Sequence, residues 1–357
     1  MKYLLMLGGV GLGLLLGFMP SISRPKPMWW RILTIAAVTL TVLFSLLPPI
    51  GGTLTDVMMA SRADSTKAVP FYAVVEDEVA PKEGGAAPDI MLRDARDSRI
   101  SAVLSADAST VAALRANKGR SVIVNVRRGA NDVQLVAAPT NTIVAVEPAI
   151  TLPYIMGLEE RARIIFFHVP MSWTAVVAYL IAMIFGIRYL RSRDLAHDAA
   201  SAAAAGVGTL YCILATITGA VWAKFNWGSF WNWDPRETSI FVLLLIYFAY
   251  FLLRTSIDDD ERRARLSSVY GIVAFVTVPF FIFILPRLLP GLHPGSSDDT
   301  TAGPLLSPKS EAINPTKQVV FALSLMAFTL IYFWLMNLRL RATNLERTME
   351  QQRLENV

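Results

Sequence analysis

The sequence predicts an all-α polytopic membrane protein. It has six core transmembrane helices, a short extra apolar segment at the N-terminus, and one small inserted extracytoplasmic domain of α+β, β-rich type. Three observations carry this. Of 357 residues, 54% are hydrophobic and only 17% charged, a balance that belongs to integral membrane proteins rather than soluble domains. Apolar runs near the ~20 residues that a bilayer core requires recur at 30–50, 164–189, 204–224, 238–254, 267–286 and 317–338. Between the first and second of these, residues 51–150 regain charge and alternate in the manner of strands. The chain therefore divides into N-terminal membrane segments (1–50), the inserted domain (51–150), a membrane domain (151–340) and a tail (341–357).

The first apolar run, 3–19, is short. Only Lys2 supplies a basic end, no small-x-small cleavage site follows, and Arg24 and Lys26 come directly after it in "SRPKPMWWR". This favours an uncleaved span or a membrane-embedded segment over a cleaved signal. In the inserted domain, "SVIVNVRRGANDVQLVAAP" reads as a hairpin of two alternating strands, and "TNTIVAVEP" adds a third. "STVAALRANKG" reads as a short helix with Ser109 or Thr110 near its N-cap and Gly119 past its end. "APKEGGAAPD" reads as a loop. With no histidine or cysteine in 51–150, nothing there looks catalytic.

Arginine sets the orientation of the later spans. The loops "RYLRSRDLAH" and "RTSIDDDERRAR" and the tail after 338 are arginine-rich and are expected in the cytoplasm. Residues 51–163, 225–237 and 287–316 then face the opposite side. The net charge of +5 follows from such flanking arginines and does not indicate nucleic acid, because no basic stripe interleaved with aromatics occurs outside the membrane. The single cysteine, Cys212, excludes a disulfide and a CxxC pair. The absence of CxxCH excludes covalently attached c-type haem, and no Walker A motif is present. Pro279, inside the fifth core span, is the best hint of a kink and reads rather as a packing adjustment.

The chain has three histidines. His197 falls in a polar loop of the cytoplasmic side. His168, in "RARIIFFHVPMSW" with Pro170 suited to a first helical turn, and His293, in "PRLLPGLHPGSSDD", meet the same outer face as "WGSFWNWDPRET" (227–238). Two imidazoles from opposite sides make an axial pair for haem iron, and flat aromatic rings supply contact area for a porphyrin. Arg163 and Arg236, and less directly Arg287, are placed to pair with haem propionates. Asp234 and Pro235 suit the N-cap and first position of the following helix. Trp29, Trp30 and Trp334 read as interfacial residues.

"WGSFWNWDPRET" resembles the tryptophan-rich WWD signature of the haem-handling proteins of cytochrome c maturation, the CcmC/CcmF/CcsA superfamily. Trp227, Gly228, Trp231, Trp233 and Asp234 fill its fixed places, and the stretches around His168 and His293 resemble its two histidine motifs. The likeness covers residues 150–340 and part of the span at 30–50. The absence of any histidine inside a span points to the CcmC branch, while the "DPRET" continuation is closer to CcsA. This resemblance implies that His168 and His293 ligate the iron of a non-covalent, transient haem b. Trp227, Gly228, Trp231, Trp233 and Asp234 then form a platform, with Arg236 and Arg163 beside it. It also implies delivery to the haem chaperone CcmE, with the ABC-type CcmA/CcmB complex and CcmD as further partners. The expected location is the bacterial inner membrane with the haem site on the periplasmic side, in contact with membrane lipid, and the expected role is transfer rather than stand-alone enzymatic catalysis. Two alternatives stay open: a CcsA-like synthase attaching haem to apocytochrome thiols, and a b-type membrane cytochrome for electron transfer. A small-molecule transporter fits less well, since paired broken helices are absent.

Overall fold

A computed structural model describes residues 2–47, 54, 57, 68–79, 88–95, 99–127, 142–148, 160–293, 295–298 and 315–355. The chain forms two compact units: Leu46–Arg163, and Met1–Ser45 together with Ile164–Val357.

The first unit is built on five strands: β1 (Val69–Val79), β2 (Asp89–Asp94), β3 (Ser101–Ala106), β4 (Ser121–Arg127) and β5 (Thr142–Pro148). They close into a barrel in the order β1-β2-β3-β5-β4. All pairings are antiparallel except β3 with β5, a five-stranded arrangement of the OB-fold kind. The β-branched and aromatic alternation dictates it. Phe71, Ala73 and Val75 of β1, Ile90 and Leu92 of β2, and Val122, Val124 and Val126 of β4 all point into one core. β5 lies in the stretch read as a third strand; residues 133–139, expected as the second arm of a hairpin, and the loop around 80–87 lie outside the described residues.

Helix α3 (Ala108–Arg115) adds Val111 and Leu114 to that core. Its N-cap is Asp107, not Ser109 or Thr110. The Asp107 carboxylate accepts the Thr110 amide at 2.7 Å and the Ser109 hydroxyl at 2.7 Å. A charged acceptor two residues before Ser109 thus takes the cap, and the two hydroxyl residues fall into the first turn.

The second unit is helical: α1 (Lys2–Phe18), α2 (Met28–Leu46), α4 (His168–Ser192), α5 (Leu195–Trp227), α6 (Pro235–Thr255), α7 (Asp260–Pro279), a short α8 (Leu285–Leu288) and α9 (Pro315–Glu355). Among the described residues six helical segments are long and apolar enough to cross a membrane; five contain an expected core run, and the first, Met28–Leu46, covers 30–46 of the expected 30–50. With the family finding reported below, this is a multi-pass membrane protein. Helix α1 is shorter but closely packed. Cβ atoms added at Gly9, Gly13 and Gly17 would lie 2.4 Å from Ala322 O, 2.8 Å from Thr329 Cβ and 2.0 Å from the Phe333 ring, so α9 approaches the backbone of α1 along a small-xxx-small face. The turn into α2 is tied down as well. Lys26 Nζ donates to the Gly17 and Met19 carbonyls at 2.6 and 2.8 Å, and Trp30 Nε1 donates to Leu16 O at 2.8 Å. Asn337 Nδ2 donates to Ile22 O and Arg24 O at 2.6 and 2.9 Å. Burial lowers the Lys26 ammonium pKa to about 8.

Helices α4 and α5 pack along their lengths through small residues; a Cβ at Gly208 would stand 2.7 Å from that of Ala178. Helix α5 starts well before the expected run at 204. Asp194 caps it, accepting the Ala196 amide at 2.8 Å, and His197 belongs to its first turn rather than to a loop, with Nδ1 2.9 Å from Ser192 Oγ. Polar residues are tolerated there because Asp198, 1% exposed, receives both Nη atoms of Arg254 at 2.7 and 2.9 Å. After Pro279, expected to be a packing adjustment rather than a kink, the chain makes one π-helical turn, Phe280–Ile284. That wide turn leads through α8 to the His293 segment.

Candidate haem-handling site

The site lies at the end of the helical unit where α4 begins, α5 ends and α6 begins. His168 is the first residue of α4. Its Nδ1 is 2.9 Å from Ala215 O and 3.2 Å from Thr218 Oγ1, both on α5. A carbonyl can only accept, so Nδ1 carries the proton and Nε2 keeps its lone pair. The ring fits because residue 219 is glycine: a Cβ there would stand 3.0 Å from His168 Cε1.

His293 lies in the segment after α8, and its Nδ1 is 2.8 Å from Asp234 Oδ1. This imidazole too has Nδ1 engaged, leaving Nε2 as its outward ligand atom, in the carboxylate–histidine arrangement that orients metal-binding imidazoles. Asp234 has 1% side-chain exposure and His293 23%.

Asp234 holds several groups at once. Its Oδ1 also accepts the Arg236 amide at 2.9 Å, and its Oδ2 the Leu292 amide at 2.7 Å. With Glu237, whose Oε2 faces the Asp234 amide at 3.4 Å and the Asn232 amide at 2.7 Å, it forms the capping box of α6, and Pro235 opens the helix. Burial pushes the Asp234 carboxyl pKa up, but the hydrogen bonds from His293 and the two amides outweigh it and bring it down to about 2. Glycine is again needed opposite: a Cβ at Gly291 would lie 2.7 Å from Asp234 Oδ2.

The tryptophans divide into two groups. Trp227, at the end of α5, meets the His293 ring edge-on at 4.7 Å between centroids, and Trp222 meets Trp227 at 5.0 Å and His293 at 6.4 Å. Gly228 ends α5 at φ +82°, a left-handed cap that turns the chain out of the helix. Beyond it Trp231 and Trp233 pair edge-on at 5.9 Å, Trp231 also touches Phe241, and Trp233 is 71% exposed at φ +55°. The inner pair frames His293 while the outer pair forms a rim. Arg236 follows the cap; its Nε and the Trp222 Nε1 are buried donors without a partner among the described residues. Arg163 belongs to the other compact unit, where its Nη1 donates to Leu47 O at 3.0 Å. Sequence reasoning missed Trp222, Gly219, Gly291 and the Asp234–His293 bond.

No group of three or more His, Cys, Asp or Glu that could hold a bare metal ion occurs among the described residues. Iron inside a porphyrin brings four nitrogens of its own and needs only two from the protein. The two Nε2 atoms, the aromatic frame and the unpartnered N–H donors fit such a group.

Comparison with known proteins identifies the family. The family described as "CcmC: Heme exporter protein C" matches residues 129–355. A protein named Heme exporter protein C from Bradyrhizobium diazoefficiens is 34% identical over 121 residues, 34% of this chain and 46% of the relative. Relatives of the same name from Paracoccus denitrificans and Escherichia coli K12 are 30% and 29% identical over 179 and 192 residues. These cover 50% and 54% of this chain and 71% and 73% of the relatives. The alignment with the first relative thus spans less than half of that protein's length.

Proposed function

The chain belongs to the Heme exporter protein C (CcmC) family, and from that premise we propose that it holds haem b between His168 and His293 and passes it on for cytochrome c maturation. The observation that carries the reading is the matched state of the two imidazoles. Each has Nδ1 committed to an oxygen, Ala215 O for His168 and Asp234 Oδ1 for His293, so each offers Nε2 to iron. Bound haem supplies a redox-active iron and vinyl groups for later covalent attachment. The residues of the chain bind and orient it. Trp227 and Trp222 cover the ring beside His293, and Trp231 and Trp233 form the rim. Arg236 takes a propionate, for which its unpartnered Nε is suited.

The arginine-rich turns lie at the other end of the helices, so the site faces the periplasm if the inner membrane follows the positive-inside bias. The receiving partner in this reading is the chaperone CcmE, with CcmA/CcmB and CcmD driving its release; the exposed Trp233 edge is where such a partner reaches the haem.

The test is an absorption spectrum of the detergent-purified protein beside His168→Ala and His293→Ala at equal protein amounts. A bis-histidine haem spectrum in the parent, lost or altered in each variant, is the expected result. Haem that persists unchanged in both variants refutes the ligand assignment.

A further inference from the structure

At the arginine-rich end, far along α9 from the haem site, a solvent-open cavity of about 230 Å³ is lined by half-buried Arg341 and by exposed Ser23, Asn344, Leu345 and Thr348. One wall is the α1–α2 turn and the other is the face of α9 that leaves the apolar stretch. At 3.6 residues per turn, Arg341, Asn344, Leu345 and Thr348 share one face, while Glu346 and Glu350 lie about 140° and 180° round the helix from Arg341. The lining therefore has one cation and no carboxylate.

Two of its four polar side chains are otherwise unused, while Thr348 Oγ1 donates to Asn344 O at 3.0 Å. The Arg341 guanidinium and the Asn344 carboxamide have no hydrogen bond or ion pair among the described residues, and Ser23 Oγ shares only a 3.1 Å contact with Ser21 Oγ. The turn is held in place rather than loosely draped. Asn337, one turn before Arg341, anchors the carbonyls of Ile22 and Arg24 on either side of Ser23. An apolar side chain, Leu345, completes the wall at 62% exposure, and Phe18 and Met19 at the end of α1 are 43% and 47% exposed.

We propose that this cavity binds the phosphate of an anionic phospholipid headgroup, with the acyl chains lying along the exposed apolar ends of α1 and α9. A guanidinium fork with neighbouring hydroxyl and amide donors suits a phosphodiester oxygen pair. Basic clefts between membrane helices at the interface favour such headgroups. The apolar wall selects lipid over a free phosphate ion.

The experiment is native mass spectrometry of the full chain in mild detergent, titrated with phosphatidylglycerol and, separately, with inorganic phosphate. One phosphatidylglycerol per chain is expected to stay bound. Arg341→Gln should weaken it about tenfold, the scale of one lost charge-assisted contact, and Arg265→Gln, at the same end but outside the cavity, should leave it unchanged. Equal binding in Arg341→Gln, or equal loss in Arg265→Gln, overturns the site. Arg341-dependent binding of inorganic phosphate as tight as that of the lipid overturns the lipid assignment. Should Arg341→Gln fail to fold, Ser23→Ala combined with Asn344→Ala is expected to reduce binding several-fold, and an unchanged affinity refutes the proposal.

Discussion

Asp234 receives the His293 imidazole, the Leu292 amide and the Arg236 amide on one buried carboxylate. Asparagine caps helices as well as aspartate does, so Asp234→Asn should leave α6 intact while removing the charge that orients and enriches the His293 ring. A 10–100-fold loss of haem affinity is expected, read by haem titration, with the helical circular dichroism unchanged. The carboxyl also sets an acid limit. Its pKa in the folded protein, about 2, lies below the usual carboxylate value, so its contribution is complete above about pH 4 and fades as pH falls toward 2, worth about 2 kcal/mol. Haem retention measured from pH 6 down to 2 should lose this contribution in that window, whereas Asp234→Asn, with no carboxyl to protonate, should start from weaker retention and lack that step. The chemistry-bearing residue types were legible in the sequence, since rare histidines and clustered tryptophans stand out against an apolar background. Their partnerships were not. Asp234 and His293 are 59 residues apart, and nothing local in either stretch announces the bond. Gly219 and Gly291 are visible as glycines, but only the neighbouring rings and carboxylate explain why a Cβ is unwelcome there.

Elements were legible where the bilayer demands them. Long apolar runs must be helices, because backbone polar groups in lipid need internal partners, and five of the six expected spans fall inside observed helices while the first overlaps Met28–Leu46 over residues 30–46. Ends were less legible. Helix α5 begins some two turns before its apolar run because Asp194 caps it and Arg254 neutralises Asp198, and such pairing is a tertiary fact. In the inserted unit, alternation revealed β4 and β5, but barrel closure through the parallel β3–β5 pair depends on contacts that alternation does not encode. Two predictions belong here. Glu237→Ala removes half of the α6 capping box and should cost about 1 kcal/mol, seen as a lower thermal midpoint and weaker haem retention together. Gly13→Leu places a side chain where α9 already stands 2.8 Å away. It should detach α1, detected as new protease sensitivity in residues 2–18 or as faster labelling of a cysteine introduced there.

At the scale of the molecule, the helical unit separates two chemistries along the membrane normal. His168, His293, Trp222, Trp227, Trp231 and Trp233 gather at one end, and the Asp198–Arg254 pair with the arginines of the two arginine-rich turns at the other. Breaking that pair as Asp198→Asn leaves the buried Arg254 without its counter-charge and should cost about 3–5 kcal/mol, measured as a loss of thermal stability in detergent with the haem spectrum retained in the surviving fraction. Helix α9 connects the two ends as one uninterrupted element from Pro315 to Glu355. At 1.5 Å per residue it is about 60 Å long, twice the hydrocarbon thickness of a bilayer. From Met349 onward, past the residues that line the headgroup cavity, it stands as a short mast of about 10 Å, with Met349 exposed. A factor that grips the mast in the aqueous phase takes hold of the same rigid rod that packs against α5 within the haem-handling domain, so a pull or twist applied well outside the lipid has a direct mechanical route into it.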